Sequence, residues 1–167
     1  MVKNRIDGAF VSSRAKRRFG EYWTPEREAE YQRLNDEFAA TPPERRPLTE
    51  VERSIIAIAI SELAVGRAEA VAQLEVATYG GLVHAGTHVC FNIDVPDSAP
   101  RLPDGVPRLV TLDVDLEGTT LMSNIELYID EGRLWSVDLT EINEHDELSG
   151  IAWPDLSRIH PFRPDPG

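Results

Sequence analysis

At 167 residues, with 41% hydrophobic and 28% charged residues, the chain has the make-up of one soluble globular domain and not of a disordered or fibrous protein. Its longest apolar run, Ile55 to Ile60, is too short to span a bilayer. The N-terminus shows no signal-peptide pattern, and the single cysteine, Cys90, excludes an intramolecular disulfide, so a cytoplasmic location is expected. The net charge of −12 is uneven: in residues 1–20 Lys3, Arg5, Arg14, Lys16, Arg17 and Arg18 face Asp7 alone, a balance of +5 that leaves −17 for the rest. Such an acidic body repels phosphate backbones and favours basic partners.

Residues 1–20 show no sustained period. Their cluster Arg14 to Arg18 reads as a solvated basic arm, with nucleic-acid contact the lesser expectation. Thr24-Pro25 opens a helix, with Thr24 as N-cap, Pro25 at the first helical position and Glu26 in the first turn. Tyr31, Leu34 and Phe38 give it a narrow apolar stripe, which would lay it across the main body. It ends before Thr41-Pro42-Pro43, and a linker runs to Pro47. Residues 1–46 are therefore expected to form an arm, a helix and a linker, and 47–167 an α+β domain with an acidic sheet face and a C-terminal tail.

Thr49 and Glu52 have the spacing of a capping box, and Val51, Ile55, Ile58, Ala59 and Leu63 continue as an amphipathic helix that stops at Gly66. A shorter helix, Arg67 to about Glu75, carries Ala68, Val71 and Leu74. The pattern then turns to strands. Val76 to Tyr79 is a short strand, Gly80-Gly81 a break, and His88 to Val95 a strand with Val89, Phe91 and Ile93 on one face. A loop, 96–107, holds four prolines. Leu109 to Leu116 alternates, with Val110, Leu112, Val114 and Leu116 inward and Asp113 and Asp115 outward.

After a turn at Glu117-Gly118 comes the clearest signal in the chain, the hairpin Leu121 to Leu139. Leu121, Ile125, Leu127 and Ile129 fall on one face of its first arm, and Asn124, Glu126 and Tyr128 on the other. Trp135, Val137 and Leu139 line one face of the second arm, and Asp130 to Arg133 supply the turn, with Gly132 able to take a positive φ. An acidic segment, Glu141 to Glu147, and a tail from Trp153-Pro154 complete the chain. The expected fold is α+β: N-terminal helices followed by an antiparallel β-meander of about four to five strands. A Gly-rich strand-to-helix loop for a phosphate is missing, which argues against a doubly wound nucleotide fold.

His84, His88 and Cys90 are three potential zinc ligands within seven residues, yet their spacing matches no structural zinc pattern. A Cys90 nucleophile would need a histidine base and an oxyanion hole, and no motif supplies the hole. Glu141, Glu144, Asp146 and Glu147 form no EF-hand loop. No catalytic set, metal or cofactor is therefore expected. The carboxylates suit electrostatic docking instead: Asp113, Asp115, Glu126 and Asp130 would extend the acidic segment, with Tyr128 and Trp153 as aromatic anchors.

Pro47 to about Pro161 resembles a group of small uncharacterised actinobacterial proteins of immunity-protein-like type. The resemblance rests on Leu48-Thr49 with Arg53 and an apolar helix, on Ala70 to Leu74, on Gly81, and best on Tyr128 to Leu134 ahead of an acidic segment and a late proline. Members often carry several cysteines around positions 80–90, where this chain has Cys90 alone. The resemblance implies the fold and a bacterial origin and assigns no site. The leading expectation is a non-enzymatic interaction protein, an immunity protein or inhibitor of a basic toxin or enzyme domain. The alternatives are a small enzyme or metal-binding domain using His84, His88 and Cys90, and a regulator whose basic arm touches nucleic acid.

Overall fold

A computed structural model of the chain describes residues 25–83, 90–115, 123–141 and 153–162. Helix α1, Pro25–Ala40, leads through the prolines into β1, Arg46–Pro47. Helices α2, Glu50–Ser61, and α3, Arg67–Val76, come next. Then come β2, Thr78–Leu82; β3, Phe91–Asp94; β4, Leu109–Val114; β5, Ser123–Asp130; β6, Arg133–Glu141; and, after a 3-10 turn at Leu156–Arg158, β7, Ile159–Pro161. Among the described residues the strands form one seven-stranded sheet in the order β1-β2-β3-β6-β5-β4-β7, with every pairing antiparallel.

The α+β class stands, but the expected meander of four to five strands is corrected in count and in order. The added strands are β1 and β7, each only two or three residues long and each containing a proline, so neither leaves an alternation to read. Because β1 precedes α2, the helices do not all come before the sheet. Because β3 pairs with β6, the chain from β3 to β4 must cross the end of the β5–β6 hairpin. Gly80-Gly81, expected as a break, lies inside β2, where the pairing with β3 shifts register between Tyr79 and Leu82 and Gly81 takes φ +99°.

Helix α2 begins as its sequence dictates. Thr49 Oγ1 accepts from the Glu52 amide at 3.2 Å, and Glu52 Oε2 accepts from the Thr49 amide at 2.7 Å, completing the capping box. Its buried stripe, Ile55, Ile56, Ala59 and Ile60, packs with Phe91, Leu112, Ile125, Leu127 and Val137 of the sheet. Glu52 also receives both arms of the Arg46 guanidinium, at 2.7 and 2.8 Å, while that guanidinium lies 3.8 Å over the Tyr79 ring. One arginine thus ties the edge strand β1 to β2 and to the start of α2.

The crossing from β3 to β4 is fixed by polar contacts. The hairpin turn has φ 46° at Glu131 and 72° at Gly132, the two positive values of a type I′ turn. Against it runs the proline loop, with the Leu102 amide donating to Gly132 O and Arg101 donating to Glu131 O, both at 2.9 Å. Gln73 of α3, fully buried, donates through Nε2 to Pro100 O at 2.6 Å and to Gly132 O at 2.9 Å. Its Oε1 accepts from the Leu134 amide at 2.9 Å.

Replacing Gln73 with Leu keeps the volume and strands the Leu134 amide, so the expected loss is about 2–4 kcal/mol of stability in urea unfolding. Glu52 gives a pH-dependent test. Burial pushes its carboxyl up, but the hydrogen bonds from Arg46 and Thr49 outweigh burial and hold it below the ordinary 4.5. A lowered folded value stabilises in full above the unfolded value and is lost as pH falls through the folded one. Glu52→Gln is therefore expected to be less stable than the parent at neutral pH by about 2–4 kcal/mol. The gap should narrow as pH drops below 4.5 in chemical denaturation across pH.

Candidate functional site

Strand alternation splits the sheet into two faces. Val110, Leu112 and Val114 of β4, Ile125, Leu127 and Ile129 of β5, and Leu134, Val137 and Leu139 of β6 are buried and share one cluster with the helices. The intervening residues form the opposite face, and the register sets them in rows. Leu109, Tyr128, Ser136 and Asn92 lie abreast; Thr111, Glu126 and Asp138 make the next row; His160, Asp113, Asn124 and Thr140 the third. The carboxylates on this face come from three adjacent strands, and Asp94 of β3 adds another, paired with Arg45 at 2.8 Å.

One irregularity determines what the first row contains. Pairing between β5 and β6 shifts so that Tyr128 faces Ser136 and Ile129 faces Leu134, leaving Trp135 as the extra residue of a β-bulge. The sequence expectation that Trp135 shares the core face of Val137 and Leu139 is thereby corrected. Leu134 occupies the core position, while half-buried Trp135 meets Tyr128 edge to face, with ring centroids 6.5 Å apart at 86°. Tyr128 in turn donates its hydroxyl to Glu126 Oε2 at 2.6 Å.

Glu126 sits directly across from Asp138, a like-charge cross-strand pair that costs stability. Asp138 Oδ1 is shut off from solvent and meets no donor among the described residues. The sequence expectation leaves Asp138 out, because the apolar residues of the second arm dominate its pattern; yet the alternation around Val137 and Leu139 already marks it as outward. Exposed Leu109 and Phe162 add apolar surface at the β4–β7 side.

Of the docking residues expected from sequence, Asp113, Glu126 and Tyr128 are thus brought together. Asp115 follows β4 and pairs with His160 Nε2 at 2.9 Å, while its amide donates to Arg158 O. Asp130 stands apart, at the hairpin end opposite Arg133. Trp153 lies on the other side of the sheet, edge-on to Phe91 at 5.9 Å beside a shallow groove lined by Thr49, Val51, Glu52 and Leu156. Glu141 closes β6, but its side chain, together with Glu144, Asp146 and Glu147, lies outside the described residues.

His84, His88 and the basic cluster 14–18 also lie outside the described residues. Cys90 is buried, its thiol 3.9 Å from Leu139 O. Among the described residues no group of three or more histidine, cysteine or carboxylate side chains is placed to hold a metal ion.

The two faces separate the effects of two mutations. Leu127→Ala is expected to cost about 2–5 kcal/mol by opening a core cavity, whereas Trp135→Ala should cost only about 1 kcal/mol, for one aromatic contact and partial burial. Thermal and urea unfolding of the pair checks the assignment of faces. A comparison of the chain with family models, curated proteins and solved structures finds no match.

Proposed function

We propose that this is a non-enzymatic interaction protein that binds a basic protein partner through the outer sheet face, in the manner of an immunity protein or inhibitor of a toxin domain. The observation that carries this reading is the set of rows Glu126–Asp138 and Asp113–Asn124, flanked by Tyr128 and Trp135. Aromatic anchors are enriched at interface centres, and carboxylates around them select a basic partner. The charge of the body beyond residue 20 adds long-range attraction for a basic surface and raises its association rate. The cytoplasmic setting of such an inhibitor belongs to the same proposal; among the described residues no helix is long and apolar enough to cross a membrane.

The test compares the tagged full-length protein with the variant Asp113→Asn/Glu126→Gln/Asp138→Asn as bait in the native cell extract, at low and high salt. The expected result is one stoichiometric basic protein, retained by the parent at low salt, weakened by salt and absent from the variant. The variant should keep the parent's cooperative unfolding, because its changes lie on a face outside the core and Gln at 126 keeps an acceptor for the Tyr128 hydroxyl. Equal capture by parent and variant, or no specific partner for either, would overturn the reading.

A further inference from the structure

We infer that Gln73 selects the register of the β5–β6 hairpin, and so decides from inside the core which of Leu134 and Trp135 reaches the outer face. Two hairpins are open to this stretch. With Tyr128 opposite Ser136, unbroken pairing would set Ile129 opposite Trp135 and Asp130 opposite Leu134, closing on a three-residue loop from Glu131 to Arg133. Trp135 would then face the core with Val137, and Leu134 would face out. The hairpin instead keeps a two-residue turn, pairs Ile129 with Leu134 and Asp130 with Arg133, and leaves Trp135 as the bulge.

The direction of one amide separates the two. The Ile129 amide donates to Arg108 O on the β4 side at 2.8 Å, so alternation along β5 turns the backbone groups of Tyr128 and Asp130 towards β6. Opposite Asp130, the Leu134 amide would bond to β5 and turn away from Gln73. Opposite Ile129 it points away from β5, to the side on which β3 lies; but β3 pairs with β6 only at Ser136 and Val137. Gln73 stands in for the missing strand. Its Oε1 accepts from the Leu134 amide and its Nε2 donates to Gly132 O, each at 2.9 Å, as one peptide group of a neighbouring strand would do. The Leu134 bond is possible in the bulged register alone. The proline loop grips the same turn, with the Leu102 amide on Gly132 O and Arg133 on Pro96 O, both at 2.9 Å. This holds whether or not the outer face docks a partner; the docking reading needs the indole outside, and Gln73 keeps it there.

The experiment is NMR of the full-length protein with a soluble paramagnetic agent as the probe of exposure. The Trp135 ring and Leu134 methyl signals are assigned through Trp135→Phe and Leu134→Val. In the parent the agent should broaden Trp135 and spare Leu134, which is buried. Gln73→Leu keeps the volume and loses the bonds, so a second set of signals with the two exposures exchanged is expected beside the parent set. Gln73→Ala also makes room for the indole, and the exchanged set should dominate. Gln73→Glu at about pH 5, where a buried carboxyl is protonated and both donates and accepts, should show the parent set alone. The reciprocal exchange is the signature, since a merely loosened core would expose Leu134 without sheltering Trp135. Trp135 exposed as in the parent in Gln73→Leu, which decides the matter where Gln73→Ala fails to fold, would overturn the proposal. So would the exchanged set in Gln73→Glu.

Discussion

The side-chain amide of Gln73 joins parts of the chain that no continuous stretch of secondary structure connects. It projects from α3 into the core, where its Nε2 meets Pro100 O of the proline loop and Gly132 O of the hairpin turn, and its Oε1 meets the Leu134 amide. A buried amide is expensive unless every partner is in place, so these bonds select one arrangement of helix, loop and hairpin. The Leu134 bond matters most for the outer face. Leu134 immediately precedes the bulged Trp135, so the amide that Gln73 accepts from lies at the irregularity that turns the indole outward. A core glutamine and a surface tryptophan are thus parts of one device.

Arg46 plays the corresponding part at the other end of the sheet. β1 is only two residues long, too short to hold itself by ladder bonds. Its attachment comes from the bidentate pair with Glu52, the stacking on Tyr79 and the capping box that fixes Glu52 in the first turn of α2. Short edges carrying Pro47 and Pro161 also leave little for another chain to add to.

Local rules made much of this legible in the sequence. The capping box, the type I′ turn with Gly132 and the inward series Val110, Leu112 and Val114 all depend on residues within a few positions of one another, whereas the helix expected to run to Gly66 ends at Ser61 and Gly66 instead caps the start of α3. The illegible parts depend on long-range pairing. β3 pairs with β6 and β7 with β4, in each case residues far apart along the chain. Trp135 failed for a related reason: a bulge adds one residue to one strand and reverses the face of the residues beyond it, and period-two reading assumes no such insertion. Asp113, Glu126 and Tyr128 were visible because their strand alternation is intact. Asp138 was equally visible in principle, but the apolar residues on either side of it dominate the pattern.

The outer face is an arrangement that folding alone would not favour. Opposed carboxylates and one oxygen of Asp138 with no donor among the described residues each work against the isolated domain. On the inner face the buried polar groups Gln73 and Glu52 have their partners. The contrast within one sheet is the argument for function. The proposed recognition of a basic partner rests on that like-charged row, because an approaching cation offsets the repulsion between Glu126 and Asp138.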